Sequence, residues 1–92
     1  MYEITAHTRA KAKQLKVIVK PSIKKGKKID VYDQKGNYLV SIGAKGYFDY
    51  GTYKIYFGNE IAEEKRKQYK KRHSKDRKVK NTPGYYADQL LW

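Results

Sequence analysis

The hairpin sequence KIDVYDQKGNYLVSI, residues 28–42, decides the fold. Apolar and polar side chains alternate along Lys28–Tyr32 and again along Tyr38–Ile42, which is the two-residue period of half-buried strands. The intervening sequence DQKGN has the composition of a tight turn in which Gly36 takes a positive φ. This pattern predicts two antiparallel strands and a sheet on which other elements pack.

Two further segments have strand character. Residues 14–20 alternate in the same way, and Pro21 ends the run because it has no backbone N–H to donate to a neighbouring strand. The aromatic-rich segment Thr52–Phe57 is a candidate fourth strand. We therefore expect an antiparallel sheet of three or four strands.

Two helices are predicted in the last third of the chain. Residues 59–73 begin with Asn59 as a cap, with acids in the first turn and cations in the last, which complements the helix dipole. Residues 82–91 begin with Thr82 as a cap and Pro83 at the first helical position. The first of these helices is strongly basic, and the second is short and has an apolar face.

Length and composition limit the organisation. Ninety-two residues suffice for one small core, which we expect as a single α+β domain over residues 14–92. Residues 1–13 show no apolar stripe and are predicted to form a basic arm that orders mainly on a partner. Cys is absent, which excludes disulfides and thiolate metal sites and is typical of an intracellular or virion setting. No apolar run approaches the roughly 18 residues of a membrane span, and a secretory signal is not expected either.

The net charge of +13 is concentrated in two blocks. Residues 9–28 have nine Lys or Arg and no acid, and residues 65–80 have ten against the single Asp76. Two separated basic blocks predict an anionic partner that is contacted at two places. The candidate residues for binding nucleic acid or another polyanion are Arg9, Lys11, Lys13, Lys24, Lys25, Lys27, Arg66, Lys67, Lys70, Lys71, Arg72, His73, Lys75, Arg77 and Lys78.

Aromatic side chains form the second candidate group. In so small a domain, rings either fill the core or contact a nucleobase or another protein. The candidates for core or protein contact are Tyr47, Phe48, Tyr50, Tyr53, Tyr85, Tyr86 and Trp92.

Two stretches that cover about half the chain resemble a known family. They are SIGAKGYFDYGTY at residues 41–53, and YKKRHSKD at residues 69–76, which continues to PGYYADQLLW at residues 83–92. Both are similar to small basic proteins encoded by large double-stranded DNA viruses and some phages, mostly without assigned function. Gly51 stands where the family pattern leads us to expect proline. The resemblance implies a viral context and supplies no catalytic residue.

No complete catalytic signature is present. The sequence RHSKD at residues 72–76 places His73 and Asp76 close together, as in a metal-dependent nuclease, but such a site gathers two or more carboxylates around the metal. We therefore expect a non-enzymatic protein with no catalytic residue, metal ligand or cofactor.

The favoured hypothesis is a minor capsid or other structural component of a virion. Such a protein contacts nucleic acid, with DNA favoured, or acidic capsid surfaces through its two basic segments, as part of a larger assembly. Two alternatives stay open: a free nucleic-acid-binding accessory protein and, less favoured, a metal-dependent nuclease. Salt dependence of binding and the protein content of purified particles distinguish these hypotheses.

Overall fold

A computed structural model describes residues 2–92, apart from the side chain of Asp76. The elements in chain order are α1 (Ala6–Leu15), β1 (Ile18–Pro21), β2 (Lys27–Tyr32), β3 (Tyr38–Ala44), α2 (Tyr50–Phe57), α3 (Asn59–Arg72), a 3-10 turn (Asp76–Lys78) and α4 (Pro83–Leu91). This confirms the predicted α+β class, with a small antiparallel sheet, a basic helix and a short C-terminal helix.

The predicted hairpin is confirmed as β2 and β3. In this antiparallel pair Ile29 lies opposite Ile42 and Val31 lies opposite Val40. The Asp33 carboxylate accepts hydrogen bonds from two backbone N–H groups of the turn, each at 2.9 Å, and so closes it. β1 pairs with β2 on its other edge, which gives a three-stranded sheet of order β1-β2-β3.

The core forms where one face of the sheet meets the end of the chain. Ile29, Val31 and Ile42 are almost completely buried together with Leu90 and Leu91. α4 packs against both α1 and β3, while α2 packs against α3. The last helix therefore links the sheet to the helical part of the molecule.

The prediction of an arm over residues 1–13 is wrong about local structure, because α1 forms there. Thr5 caps this helix by accepting a hydrogen bond from the Thr8 backbone N–H. Thr8 and Ala12, one turn apart, are buried, and the Thr8 hydroxyl donates to the Leu90 carbonyl oxygen at 2.7 Å. A helix that packs through such small side chains shows no apolar stripe in its sequence, which explains why we missed it.

Two strand predictions also need correction. Gln14 and Leu15 belong to α1, so the first strand begins only at Ile18. Thr52–Phe57 lies within α2 and not in a fourth strand, because the Asp49 carboxylate caps the segment by accepting from the Thr52 backbone N–H at 2.9 Å. This cap and the packing of α2 on α3 outweigh the local preference of aromatic residues for strands.

The two C-terminal helices lie where the sequence predicted them. α4 has Thr82 as its cap, accepting from Tyr85 N–H, and Pro83 in its first turn. In α3, however, Gly58 occupies the cap position without a side-chain hydrogen bond, and Asn59 is already helical. The predicted capping role of Asn59 is therefore wrong. The positive φ of +88° at Gly58 forms the sharp bend between α2 and α3.

Candidate functional site

Three aspartate carboxylates lie inside the protein. Asp30, Asp49 and Asp88 are each at most 3% exposed. Asp49 pairs with the buried Lys28 at 3.3 Å, and Asp88 pairs with Lys70 at 2.5 Å. Two of these acids are neutralised by a lysine within the fold, so the net charge of +13 remains on the other side chains, and most of the remaining Lys and Arg are exposed, where they attract anions.

Asp30 is held by hydroxyl groups. Ser22 and Ser41 both donate to Asp30 Oδ1, at 2.6 and 2.5 Å. Burial acts to raise the pKa of Asp30, but these hydrogen bonds outweigh it and the pKa lies below its ordinary value. The Ser41 hydroxyl also contacts the Tyr38 hydroxyl at 2.7 Å, to which Lys24 Nζ donates at 2.7 Å. The network thus ties the basic loop after β1 to β3.

A cleft of about 610 Å³ is lined by residues from β2, the end of β3, the following loop, α2, α3, α4 and Trp92. The aromatic lining residues are Tyr47, Phe48, Tyr53, Tyr69 and Trp92. The basic lining residues are Lys28, Lys65, Arg72 and His73. The cleft therefore combines aromatic surfaces with positive charge. Those are the two features with which proteins bind bases and phosphates of single strands.

The rings at the base of the cleft form a stack. The ring centroids of Tyr69 and Trp92 are 4.5 Å apart with an interplanar angle of 8°, and His73 packs on Tyr69 at 4.5 Å. Tyr69 and His73 meet because they are one turn apart on α3. Tyr53 continues the row at 6.2 Å from Trp92, with Lys65 Nζ 5.8 Å from the Tyr53 ring centroid. Packing thus holds these rings in defined orientations.

A second cleft of about 380 Å³ adjoins the first. Both clefts are lined by Lys28, Tyr47 and Phe48. The second cleft adds Lys45 and Tyr56. The two clefts are therefore neighbours that share the segment Tyr47-Phe48.

A buried polar cluster anchors that shared segment. Lys28 Nζ donates to the Tyr47 carbonyl oxygen and lies 3.3 Å from Asp49 Oδ2. The Tyr2 hydroxyl donates to the same carboxylate at 2.5 Å. Burial and this carboxylate raise the pKa of the Tyr2 hydroxyl, so it stays a neutral donor. Because Lys28 is paired with Asp49, other cations supply the net positive charge of the clefts.

Several rings near the clefts face solvent. Tyr47 is 74% exposed, Tyr56 72% and Phe57 53%. Phe48 packs on Tyr56 with ring centroids 6.5 Å apart and an interplanar angle of 24°. Ile55, 67% exposed, directly precedes Tyr56 on α2. Large apolar side chains are thus left in water around the clefts and on α2.

The predicted polyanion-binding residues are not all equally accessible. The exposed ones are Arg9, Lys13, Lys24, Lys25, Lys27, Lys67, Lys71, Arg72, Lys75 and Lys78. The half-buried ones are Lys11, Arg66, Lys70, His73 and Arg77. Arg66 packs over the Tyr50 ring at 4.7 Å and lies 3.5 Å from a Glu63 oxygen, and Arg77 Nε donates to the Lys70 carbonyl oxygen at 3.3 Å. Arg66 and Arg77 are therefore engaged in contacts within the fold.

The cations of α3 do not share one face. Lys67 and Lys71, one turn apart, are exposed to solvent. Lys65 and Arg72 line the first cleft instead. Lys70 is directed to Asp88 on α4. The cations of this basic helix are therefore divided among solvent, the first cleft and the contact with α4.

The predicted aromatic residues divide in a similar way. Tyr50, Tyr86 and Trp92 are buried in the core. Tyr53 and Tyr85 are half-buried and pack against the core. Tyr47 and Phe48 are exposed at the clefts. Both predicted uses of aromatic residues, in the core and at an exposed surface, thus occur in the same molecule.

Sequence reasoning did not select six of the basic and aromatic residues that line the clefts: Tyr2, Lys28, Lys45, Tyr56, Lys65 and Tyr69. The seven-residue spacing from Lys65 to Arg72 would have placed both on one side of α3. No such signal existed for Tyr56, because the segment Thr52–Phe57 was interpreted as a strand.

The residues considered for nuclease chemistry are only partly described. His73 packs on Tyr69, while the side chain of Asp76 lies outside the part of the chain that the structure describes. Among the described side chains, no group of three or more His, Cys, Asp or Glu is placed to hold a metal ion. Within residues 2–92, no helix is both long and apolar enough to cross a bilayer.

Comparison of the chain with protein-family models, curated proteins and solved structures found no match. The resemblance to viral proteins thus stays a prediction.

Proposed function

We propose that this protein is a non-enzymatic nucleic-acid-binding component of a viral particle. It contacts phosphates through its two basic segments and keeps its remaining surface for neighbouring macromolecules. The viral setting rests on the sequence resemblance, and the nucleic-acid contact rests on the surface chemistry. Each part has its own test.

The observation that supports nucleic-acid binding best is the separation of charges. Two of the three buried carboxylates pair with Lys28 and Lys70, while Lys and Arg from both basic segments extend into solvent. An outer surface of this kind attracts a polyanion and releases its counterions on binding. The exposed rings beside Lys45 and Lys65 favour nucleic acid over a purely acidic protein surface, since bases also offer flat faces.

Salt dependence tests the phosphate contacts. The anisotropy of a labelled oligonucleotide, titrated with the protein at several salt concentrations, measures the slope of log affinity against log salt. Each phosphate neutralised contributes about −0.7 for a single strand and about −0.9 for a duplex, so we expect a steep negative slope. A flat dependence contradicts the proposal. Electrophoresis of the same oligonucleotide after incubation with Mg²⁺ tests for cleavage, which we expect to be absent.

Contact with a capsid protein is a second candidate function. It is favoured by the exposed side chains of Ile55, Tyr56 and Phe57, which offer an apolar surface on α2. Quantitative mass spectrometry of purified particles tests the virion setting, and we expect a stoichiometric copy number. Trace amounts or absence would restrict the protein to an accessory role in the infected cell.

A further inference from the structure

We propose that the two clefts on either side of Tyr47-Phe48 bind unpaired bases, and that the partner is therefore single-stranded nucleic acid. This inference rests on the proposed function and makes it more specific. The basic segments alone would bind single and double strands alike, because both offer phosphates. The clefts favour a single strand over a duplex, because only the single strand has accessible base faces.

The rings at the clefts are accessible to a base. Tyr47 and Tyr56 are both more than 70% exposed, and Phe48, which packs on Tyr56, lines both clefts. Each ring on which a base stacks contributes affinity with little regard to sequence. In a duplex the base faces are already stacked on one another, so these rings have nothing to bind there.

Cations lie beside the rings in both clefts. Lys65 and Arg72 line the first cleft, and Lys45 lines the second. Asp49, which lines the first cleft, is paired with Lys28, so its charge is already compensated. A base held in either cleft therefore has a cation near its own phosphate. This arrangement of rings and cations is how single strands are bound without sequence preference.

The size and arrangement of the two clefts suit a strand with successive bases. Cavities of about 610 and 380 Å³ fall in the range of roughly 300–1,000 Å³ that is typical of sites for small ligands. Two such cavities beside one another suit successive flat groups on a flexible chain. Since both share the Tyr47-Phe48 segment, one strand can occupy both, with its backbone passing over this segment.

A direct comparison of strands tests the inference. Labelled oligothymidylate and a duplex of equal length are titrated with the protein at one fixed salt concentration. We expect the single strand to bind about tenfold more tightly, since base stacking adds to the shared phosphate contacts. Trp92, the single tryptophan, lines the first cleft, so its fluorescence should be quenched by the single strand and not by the duplex.

A variant that lacks the two exposed tyrosines tests the role of the rings. The double substitution Tyr47→Ser and Tyr56→Ser should lower the affinity for oligothymidylate about tenfold or more and leave the affinity for the duplex unchanged. Ile55→Ser is the matched control, because Ile55 is exposed beside Tyr56 but lines neither cleft, and we expect it to change neither affinity. All three side chains are mostly in solvent, so folding should be unaffected, and circular dichroism verifies this.

A charge-matched pair tests the cations. Arg72→Gln and Lys71→Gln each remove one positive charge from neighbouring positions of α3, but of the two only Arg72 lines a cleft. We expect Arg72→Gln to reduce the affinity for the single strand several-fold more than Lys71→Gln. Similar losses for both variants would contradict the assignment of Arg72 to the site.

The outcomes separate this inference from the proposed function. Equal, salt-dependent affinity for both strands overturns the base-binding inference and leaves phosphate binding intact. An unchanged affinity of the double tyrosine variant for oligothymidylate overturns it too, and would leave the rings to contact a protein. Failure to bind either strand overturns the proposed function itself.

Discussion

Gly51 on α2 lies directly against Thr5, the residue that caps α1. A Cβ atom at this position would lie 2.4 Å from Thr5 Oγ1 and 2.8 Å from Thr5 Cβ. Thr5 is buried and caps α1, so it has little freedom to move away. The packing of Thr5 against this position gives a physical reason for glycine in this chain.

Gly51→Ala should lower the free energy of unfolding by about 1–3 kcal/mol, because the added methyl group overpacks the contact with Thr5. Urea denaturation followed by circular dichroism measures the change. The direction of the change in the free energy of unfolding decides whether the contact is close. At an unhindered helical site the same substitution would stabilise the protein by up to about 1 kcal/mol, so a more stable variant would contradict the close contact.

His7 is the second residue whose surroundings make a prediction. Its ring lies 4.6 Å from that of Tyr50, and its Nε2 atom is buried without a hydrogen-bond partner among the described residues. Burial, and then the charges of Arg66 and Lys11, lower the pKa of His7 to about 4. The folded protein therefore keeps this imidazole neutral at pH values where the unfolded chain protonates it.

Stability should consequently depend on pH through His7. The unfolded chain takes up a proton as the pH falls below about 6.5, while the folded protein does so only near pH 4. The free energy of unfolding should thus be highest above this window and decrease as the pH falls through it. Urea midpoints at pH 7.5 and pH 5 measure the difference. His7→Phe keeps an aromatic ring at this position but removes the titratable imidazole, so it should reduce the difference between the two urea midpoints. An unchanged difference would assign the pH dependence to other groups.

At the scale of elements, α4 connects the sheet, α1 and α3. It contacts α1 and β3, and its Asp88 side chain reaches Lys70 on α3 at 2.5 Å. Asp88 is almost completely buried, whereas Lys70 keeps partial access to water. One lysine of the basic helix therefore belongs to the fold and not to the binding surface.

Lys70→Met should lower the free energy of unfolding by about 2 kcal/mol, because the buried Asp88 carboxylate loses its ion-pair partner. This is less than the roughly 3–5 kcal/mol of a fully buried pair, since Lys70 is partly exposed. Lys71→Met is the matched control with a solvent-exposed side chain, and we expect little change. Equal losses in chemical denaturation would show that the pair contributes nothing specific.

At the scale of the whole molecule, contacts between distant parts of the chain hold the fold together. Leu90, Leu91 and Trp92 are buried in one cluster with Ile29 and Ile42 of the sheet. The Thr8 hydroxyl donates to the Leu90 carbonyl oxygen across 82 positions of sequence. The last residues therefore complete a core to which α1 and the sheet also contribute.

Deletion of Tyr85–Trp92 should abolish cooperative folding, because it removes Leu90, Leu91 and Trp92 from the core and leaves the sheet uncovered. Circular dichroism and thermal denaturation of the truncated chain measure this. A truncated protein with native secondary structure and a cooperative transition would contradict the role given to the tail.

The predictions that succeeded depend on local sequence. The β2–β3 hairpin, α3 and α4 were found because their periodicity, turn residues and terminal charges lie within about ten neighbouring residues. The predictions that failed depend on distant contacts. α1 packs through Thr8 and Ala12, which have no apolar signal, and α2 replaces a strand because Asp49 caps it and α3 covers it.

The candidate site shows the same division. Basic segments and aromatic residues were identified from composition alone, and among them were the cleft residues Tyr47, Phe48, Tyr53, Arg72 and Trp92. Their assembly into a cleft was not predictable. Lys65 and Tyr69 come from α3, whereas Phe48 and Trp92 lie 44 positions apart in the sequence.

By itself, the sequence determined the α+β class, the hairpin, the two C-terminal helices and the excess of positive charge, because periodicity and composition act over short distances. Tertiary structure alone decided which cations reach solvent. It pairs Lys28 with Asp49 and Lys70 with Asp88, and it leaves Lys65 and Arg72 beside the aromatic cleft. The physical reason is that burial and pairing depend on which side chains meet in space, and those side chains come from segments that are far apart in the chain.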